Sequence, residues 1–168
     1  MQIKDKVFIV TGGASMIKGG VVAKIETMLQ EKGCATLLYA GISPNPDTGA
    51  VLDGVAAMRR FGPDAVIAVG GGSSLDAAKV MALFYEYPAL DFTDALAGRL
   101  PARRKAVRLV AVPSTSGTGS EVTKVAVVTF RDRDLKIGLR TPAFTPDIAI
   151  LDAELTMTMP ANIVAETG

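Results

Sequence analysis

The spacing of apolar positions changes repeatedly along the chain, and each change marks an element. Residues 7–11 form a continuous apolar and β-branched run, the signature of a strand buried on both faces. Val21, Ile25, Met28 and Leu29 then recur at helical spacing within residues 20–32, and Gly33 closes that helix. Residues 34–40 are a second apolar run. "SPNPDTG" (43–49) is dense in turn formers, and Thr48–Phe61 follows as a helix with Val51, Leu52, Val55 and Met58 on one side. "DAVIAVGGGSSLDAAK" (64–79) compresses a strand, a glycine loop and the start of a helix into sixteen residues. Residues 88–106 show no period and are expected to be irregular. A strand at 109–112 ends at Pro113. Val125–Phe130 and residues 135–139 predict a hairpin around "RDRD". Residues 147–151 predict a last short strand, and Pro160 opens a predicted helix.

This βαβαβα order predicts an α/β fold: a Rossmann-like parallel sheet with right-handed crossovers, helices on both faces, and a β-hairpin. No repeat, low-complexity segment or linker interrupts it, so residues 1–168 read as one domain. Ligands of such sheets bind beyond the carboxyl ends of the strands. Three loops occupy that position here: 12–19, 70–74 and 113–120.

Composition narrows the chemistry. Hydrophobic residues are 49% of the chain and aromatics 5%, so small and branched side chains build the core, as a helix-covered sheet requires. The net charge of +1 implies no general attraction to nucleic acid or to anionic membrane. The basic run between Arg99 and Arg108 is interrupted by Leu100, Pro101, Ala102, Ala106 and Val107 and reads as a solvated loop. Cys34 is the single cysteine, so no internal disulfide can form. With no signal peptide at "MQIKDK" and no stretch near the ~20 apolar residues of a membrane span, the expected location is the cytoplasm. The chain contains no His. That excludes a Ser-His-Asp triad, a Cys-His pair and a His-rich zinc site within it. The carboxylate pairs Asp91/Asp94, Asp132/Asp134 and Asp152/Glu154 read as solvated surface.

Two loops compete for a phosphate. "KVFIVTGGAS" (6–15) resembles the opening of short-chain dehydrogenases, whose pattern is Thr-Gly-x-x-x-Gly-x-Gly. Met16 and Lys18 stand where its later glycines would fall. The Tyr-x-x-x-Lys pair of that family is also absent: Ser43, Ala89 and Asp91 follow Tyr39, Tyr85 and Tyr87 at four residues. The second loop, Gly70 to Ser74, follows an apolar strand and opens a helix. Its three glycines bare backbone N–H groups, and the helix start adds positive potential, which suits a diphosphate. Asp76 falls in the first helical turn if Ser73 is the N-cap. "VPSTSGTGSEVT" (112–123) adds short hydroxyls and bare amides after a third strand.

Taken in order, "PNP", "DAVIAVGGGSSLDAAK", "PSTSGTGSEVT" and "DIAILDAELTMTMP" resemble the iron-containing (group III) alcohol dehydrogenases, from about residue 19 to 168. The short-chain-like first fifteen residues then read as a join between two families. The resemblance implies an NAD(P)-dependent oxidoreductase that interconverts small alcohols and carbonyls by hydride transfer. It implies that Gly71, Gly72 and Ser73 hold the pyrophosphate, beside Asp76. It implies that Asn45, Ser114, Thr115 and Thr118 line the adenosine and nicotinamide sides, with Lys136 near the ribose. An acidic residue commonly ends the family's first strand and holds the ribose; Gly12 replaces it here, so NAD and NADP both remain open. The family's metal ligands lie on a helical domain that would follow Gly168. Iron or zinc is therefore not expected in this chain, and no catalytic residue is assigned. Non-catalytic dinucleotide binding and a self-associating module remain alternatives. Lost helical cover predicts a homo-oligomer, with contacts around 160–164 and on the hairpin 125–139.

Overall fold

In the computed structural model, residues 5–157, 159, 164 and 165 are described. Of the predicted helix after Pro160, only residues 164 and 165 are among them, and both are helical. The central sheet has five strands in the order β2-β1-β3-β4-β7, all parallel. They are β1 (Lys6–Gly12), β2 (Ala35–Ile42), β3 (Ala65–Gly70), β4 (Arg108–Pro113) and β7 (Ile148–Ala149). β5 (Val125–Phe130) and β6 (Leu135–Arg140) pair antiparallel as a separate hairpin. The helices are α1 (Ser15–Lys18), α2 (Val21–Gln30), α3 (Thr48–Phe61), α4 (Gly72–Glu86) and α5 (Phe92–Leu96).

Alternate residues of each strand feed two cores, as the two-residue period of a strand dictates. Phe8, Val10, Val66, Ala68, Leu109 and Ala111 pack with α3, α4 and the hairpin. Val7, Ile9, Ile67, Val69, Val110 and Val112 pack on the other face with Met16 and Val22 of α1 and α2. All six residues of β3 are buried, which explains its unbroken apolar run. α4 is buried almost all round because the sheet covers one side and β5 the other. α3 meets α4 so closely at Gly54 that a Cβ there would lie 2.4 Å from Met81 Cε.

Local chemistry sets the ends of α3. The Asp47 carboxylate accepts from the Ala50 N–H at 2.7 Å, and Gly62 leaves the helix at φ 71°. Elsewhere the structure departs from the periodicity. The helix expected over 20–32 is α2, and a one-turn helix the periodicity did not predict, α1, precedes it, set off by Gly20 at φ 75°. Residues 88–106 contain α5, whose start Asp91 caps by accepting from the Asp94 N–H at 2.8 Å. The strand expected over 147–151 is only β7, although Asp147 and Ile150 still donate to Leu109 and Ala111. The basic run is not wholly solvated. The Arg104 side chain is 8% exposed; it donates to the Ala143 and Thr145 carbonyls and pairs with Asp147 at 2.7 Å. Among the described residues, no helix is long and apolar enough to cross a membrane.

Candidate functional site

The strand order reverses direction between β1 and β3, so the crevice of the sheet opens beyond Gly12 and Gly70. Three connections converge there, each fixed by short polar contacts. The β2–α3 connection turns at Asn45, which adopts a left-handed φ of 58°. Asn and Asp tolerate that region best among non-glycine residues. Its N–H donates to Ser73 Oγ at 3.3 Å, and its side-chain Oδ1 accepts from Lys136 Nζ on β6 at 2.5 Å. Thr129 N–H donates to the Pro46 carbonyl at 2.9 Å, binding the same turn to β5.

The β3–α4 connection is the glycine loop. Gly71 is the N-cap of α4, and Gly72 and Ser73 are its first residues. By position their N–H groups have no carbonyl four residues back within the helix, so they are available to a ligand. Neither glycine has room for a side chain. A Cβ on Gly71 would lie 3.3 Å from Thr115 Cγ2. One on Gly72 would lie 3.2 Å from Thr118 Cγ2 and 3.3 Å from Ser120 Oγ. The loop after β4 is therefore laid directly over the bare backbone of the loop after β3. The Ser114 N–H, donating to the Gly70 carbonyl at 2.9 Å, holds the two together.

A cleft of about 260 Å³ results, walled by Asn45, Gly72, Ser73, Asp76, Thr118 and Lys136. These are six of the ten residues implied at the sequence level. Ser120, Pro46 and Val127 complete the lining. Gly71 lies beside Thr115, which lines an adjoining recess of about 280 Å³ with Ser116, Glu121, Leu151 and Asp152. Ser114 is buried and contributes backbone. Gly12 lies behind the loop rather than in the cleft: a Cβ there would meet Ser74 Oγ at 2.8 Å and the Ile42 carbonyl at 3.1 Å.

Asp76 is not in the first turn of α4. The helix begins at Gly72, with Gly71 rather than Ser73 as its cap, which moves Asp76 into the second turn. There its carboxylate accepts from Val127 N–H at 2.9 Å, Ser120 Oγ at 3.1 Å and Lys79 Nζ at 3.3 Å. Lys79 is 1% exposed and also donates to the Val125 carbonyl at 2.7 Å and Thr123 Oγ1 at 3.2 Å. Burial pushes the Lys79 ammonium below the ordinary lysine pKa, while Asp76 beside it works in the opposite direction. Sequence reasoning missed Lys79 and Ser120. The Asp-x-x-Lys spacing was the available signal for Lys79, since it places both charges on one helix face. Ser120 carried none, because its role depends on how the loop after β4 folds back.

Comparison with known proteins places this arrangement. The family described as iron-containing alcohol dehydrogenase matches residues 1–153, so the match includes the opening that resembles a short-chain dehydrogenase. The NADPH-dependent butanol dehydrogenase of Clostridium saccharobutylicum is 42% identical over 97% of this chain and 42% of its own length. Lactaldehyde reductase of Escherichia coli is 33% identical over 98% of this chain and 43% of its own length. The chain thus spans about two fifths of these relatives. Among solved structures, NADH-dependent butanol dehydrogenase A of Thermotoga maritima superposes with a TM-score of 0.89 at 31% identity, covering 97% of this chain and 40% of that one. The glycine loop, the left-handed asparagine turn and the hydroxyl-rich strap lie within a match that spans nearly the whole chain, and the chain belongs to the iron-containing alcohol dehydrogenase family.

Proposed function

We propose that residues 1–168 are the dinucleotide-binding domain of an alcohol dehydrogenase, with the cofactor in the cleft beneath Thr118. The observation that carries this reading is the bare backbone at Gly71 and Gly72, which Thr115, Thr118 and Ser120 approach so closely that any Cβ would fill the cradle. A diphosphate fits these donors: the first N–H groups of α4 have no carbonyl partner within the helix, and the dipole of a fifteen-residue helix favours the anion. Asn45 and Lys136 are already joined at the edge of the cleft, and together they offer a ribose hydroxyl both a donor and an acceptor. Thr115 and the adjoining recess suit the nicotinamide side.

When bound, NAD(P) accepts or donates the hydride between a small alcohol and its carbonyl. This chain's residues bind and orient it. Gly71 to Ser73 fix the phosphates, and Asn45 and Lys136 fix the ribose. The strap from Ser114 to Ser120 keeps water from one side of the cofactor. A resident metal does not fit these residues. The chain has no His, and among the described residues no group of three or more Cys, Asp or Glu side chains converges. No step through a metal is derived from it.

Both phosphorylation states of the cofactor fit. Sheets of this type commonly hold the ribose with a carboxylate at the end of the second strand, and β2 ends here in Ala40-Gly41-Ile42. Gly12 supplies none either. Titration of the full chain with NADH and NADPH, by cofactor fluorescence in metal-chelated buffer, tests the reading. Both should bind, with affinities within about tenfold of each other. No binding of either would overturn it, and a hundredfold preference for NADH would overturn the open ribose pocket.

A second reading, self-association, is favoured by one specific surface. Leu151 is 72% exposed and Met157 82% exposed. Met28, Ile150 and Leu155 line a groove of about 520 Å³ beside them. Burying such surface is worth roughly 25 cal/mol per Å². This patch, rather than the hairpin, is where a second copy would pack, since Ala126, Val128 and Phe130 of the hairpin are already buried. Light scattering that gives 17.5 kDa at micromolar concentration would refute it. We also place the chain in the cytoplasm, a reading supported by its single, unpaired and buried Cys34.

A further inference from the structure

Asp76 raises an electrostatic difficulty for the proposed ligand. Its carboxylate forms part of the cleft wall next to Gly72 and Ser73, where two phosphate charges would lie. A carboxylate only accepts hydrogen bonds, so it offers a phosphate nothing and repels it. The same carboxylate is structurally committed. It holds the backbone of β5 at Val127 and the hydroxyl of Ser120, so it cannot turn away.

We infer that Lys79 is a positioning residue for the dinucleotide, acting through Asp76: its buried ammonium cancels a carboxylate that would otherwise face the diphosphate. Lys79 has no path to the ligand itself. It is 1% exposed, and its Nζ is held at 2.7 Å by the Val125 carbonyl, at 3.2 Å by Thr123 Oγ1 and at 3.3 Å by Asp76. Three donors meet three acceptors, so the charge is fixed one turn behind the cleft wall. The Asp76–Lys79 pair lets one acidic side chain anchor the hairpin without charging the cradle. Lys136 on β6 lines the cleft itself, and it is engaged with Asn45 rather than Asp76.

This inference rests on the proposed dinucleotide reading, and the test separates the two. A purely structural role would make every break of the pair weaken binding, since either change leaves one buried charge alone. A charge-cancelling role gives opposite signs. NADPH titration of the full chain should show Lys79→Met binding about tenfold more weakly, from the uncancelled carboxylate. Asp76→Asn should bind about threefold more tightly, because the lone ammonium now attracts the phosphates. The double variant should return to within about twofold of the parent. If Lys79→Met does not fold, the Asp76→Asn arm decides alone. Weaker or unchanged NADPH binding by Asp76→Asn overturns the inference while the dinucleotide reading stands. A parent that binds neither NADPH nor NADH overturns both.

Discussion

Two glycine-rich turns follow two neighbouring parallel strands, and only one of them is overlaid by a loop of hydroxyl side chains. The turn after β1 contains Gly12 and Gly13 and leads into a four-residue helix with no side-chain cap, which Gly19 and Gly20 then end. The turn after β3 contains Gly70, Gly71 and Gly72 and leads straight into fifteen residues of buried helix. The difference lies in what surrounds the glycines. Nothing lies within 4 Å of a Cβ added at Gly13 or Gly20. At Gly71 and Gly72 the hydroxyl side chains of the neighbouring strap press on the bare backbone. Counting glycines cannot distinguish these turns, whereas the contact each glycine permits can. A short helix also lacks the aligned peptide dipoles that favour an anion.

The largest expected effect comes from filling the second turn. Gly71→Asp would set a carboxylate at the proposed pyrophosphate position and a Cβ against Thr115, and NADPH affinity should fall at least about a hundredfold. An affinity near the parent's, read by fluorescence titration, would erase the distinction between the turns. Next comes Gly12, where the first turn meets the second. Gly12→Ala would push on Ser74 Oγ and the Ile42 carbonyl. It should cost about 1–3 kcal/mol in urea unfolding, as overpacking does, with affinity changed less than about threefold. A selective loss of binding without loss of stability would move Gly12 into the site. The smallest effect is expected at Gly13→Ala, which meets open space. Stability should move by less than about 0.5 kcal/mol and affinity by less than about twofold. A larger change in either would mean that the first turn takes part in binding.

Legibility followed the range of the interactions. Both ends of α3 could be read directly, because Asp47 and Gly62 are local signals that act within one turn. β3 and β5 were legible because burial on a face imposes a pattern on the residues themselves. Six of the cleft residues could be named from motif order, since the loops that carry them all leave the same end of a parallel sheet. The start of α4 was misread by two residues because Ser73 looks like a cap, while the actual cap is a glycine with no side-chain bond. Arg104 looked solvated because its acceptors, the carbonyls of Ala143 and Thr145, lie some forty residues away. The Asp76–Lys79–Ser120 network was hidden for the same reason: its geometry exists only once β5 lies across α4.

That remoteness has a consequence for how the molecule comes into being. The bond that closes the cleft, from Lys136 to Asn45, joins residues 91 apart in the chain, and Asn45 reaches Ser73 across 28. Every neighbouring strand pair in the sheet is parallel, so each pairing requires a crossover before it can form. Chain entropy must be spent on those long loops before the contacts compensate for it. The cleft is therefore expected to form late in folding, after α3 and α4 have acquired their helical turns. In a stopped-flow refolding experiment, far-ultraviolet ellipticity should recover before NADPH fluorescence does. A cofactor present during synthesis would act on that last step, holding the closed form against reopening by mass action.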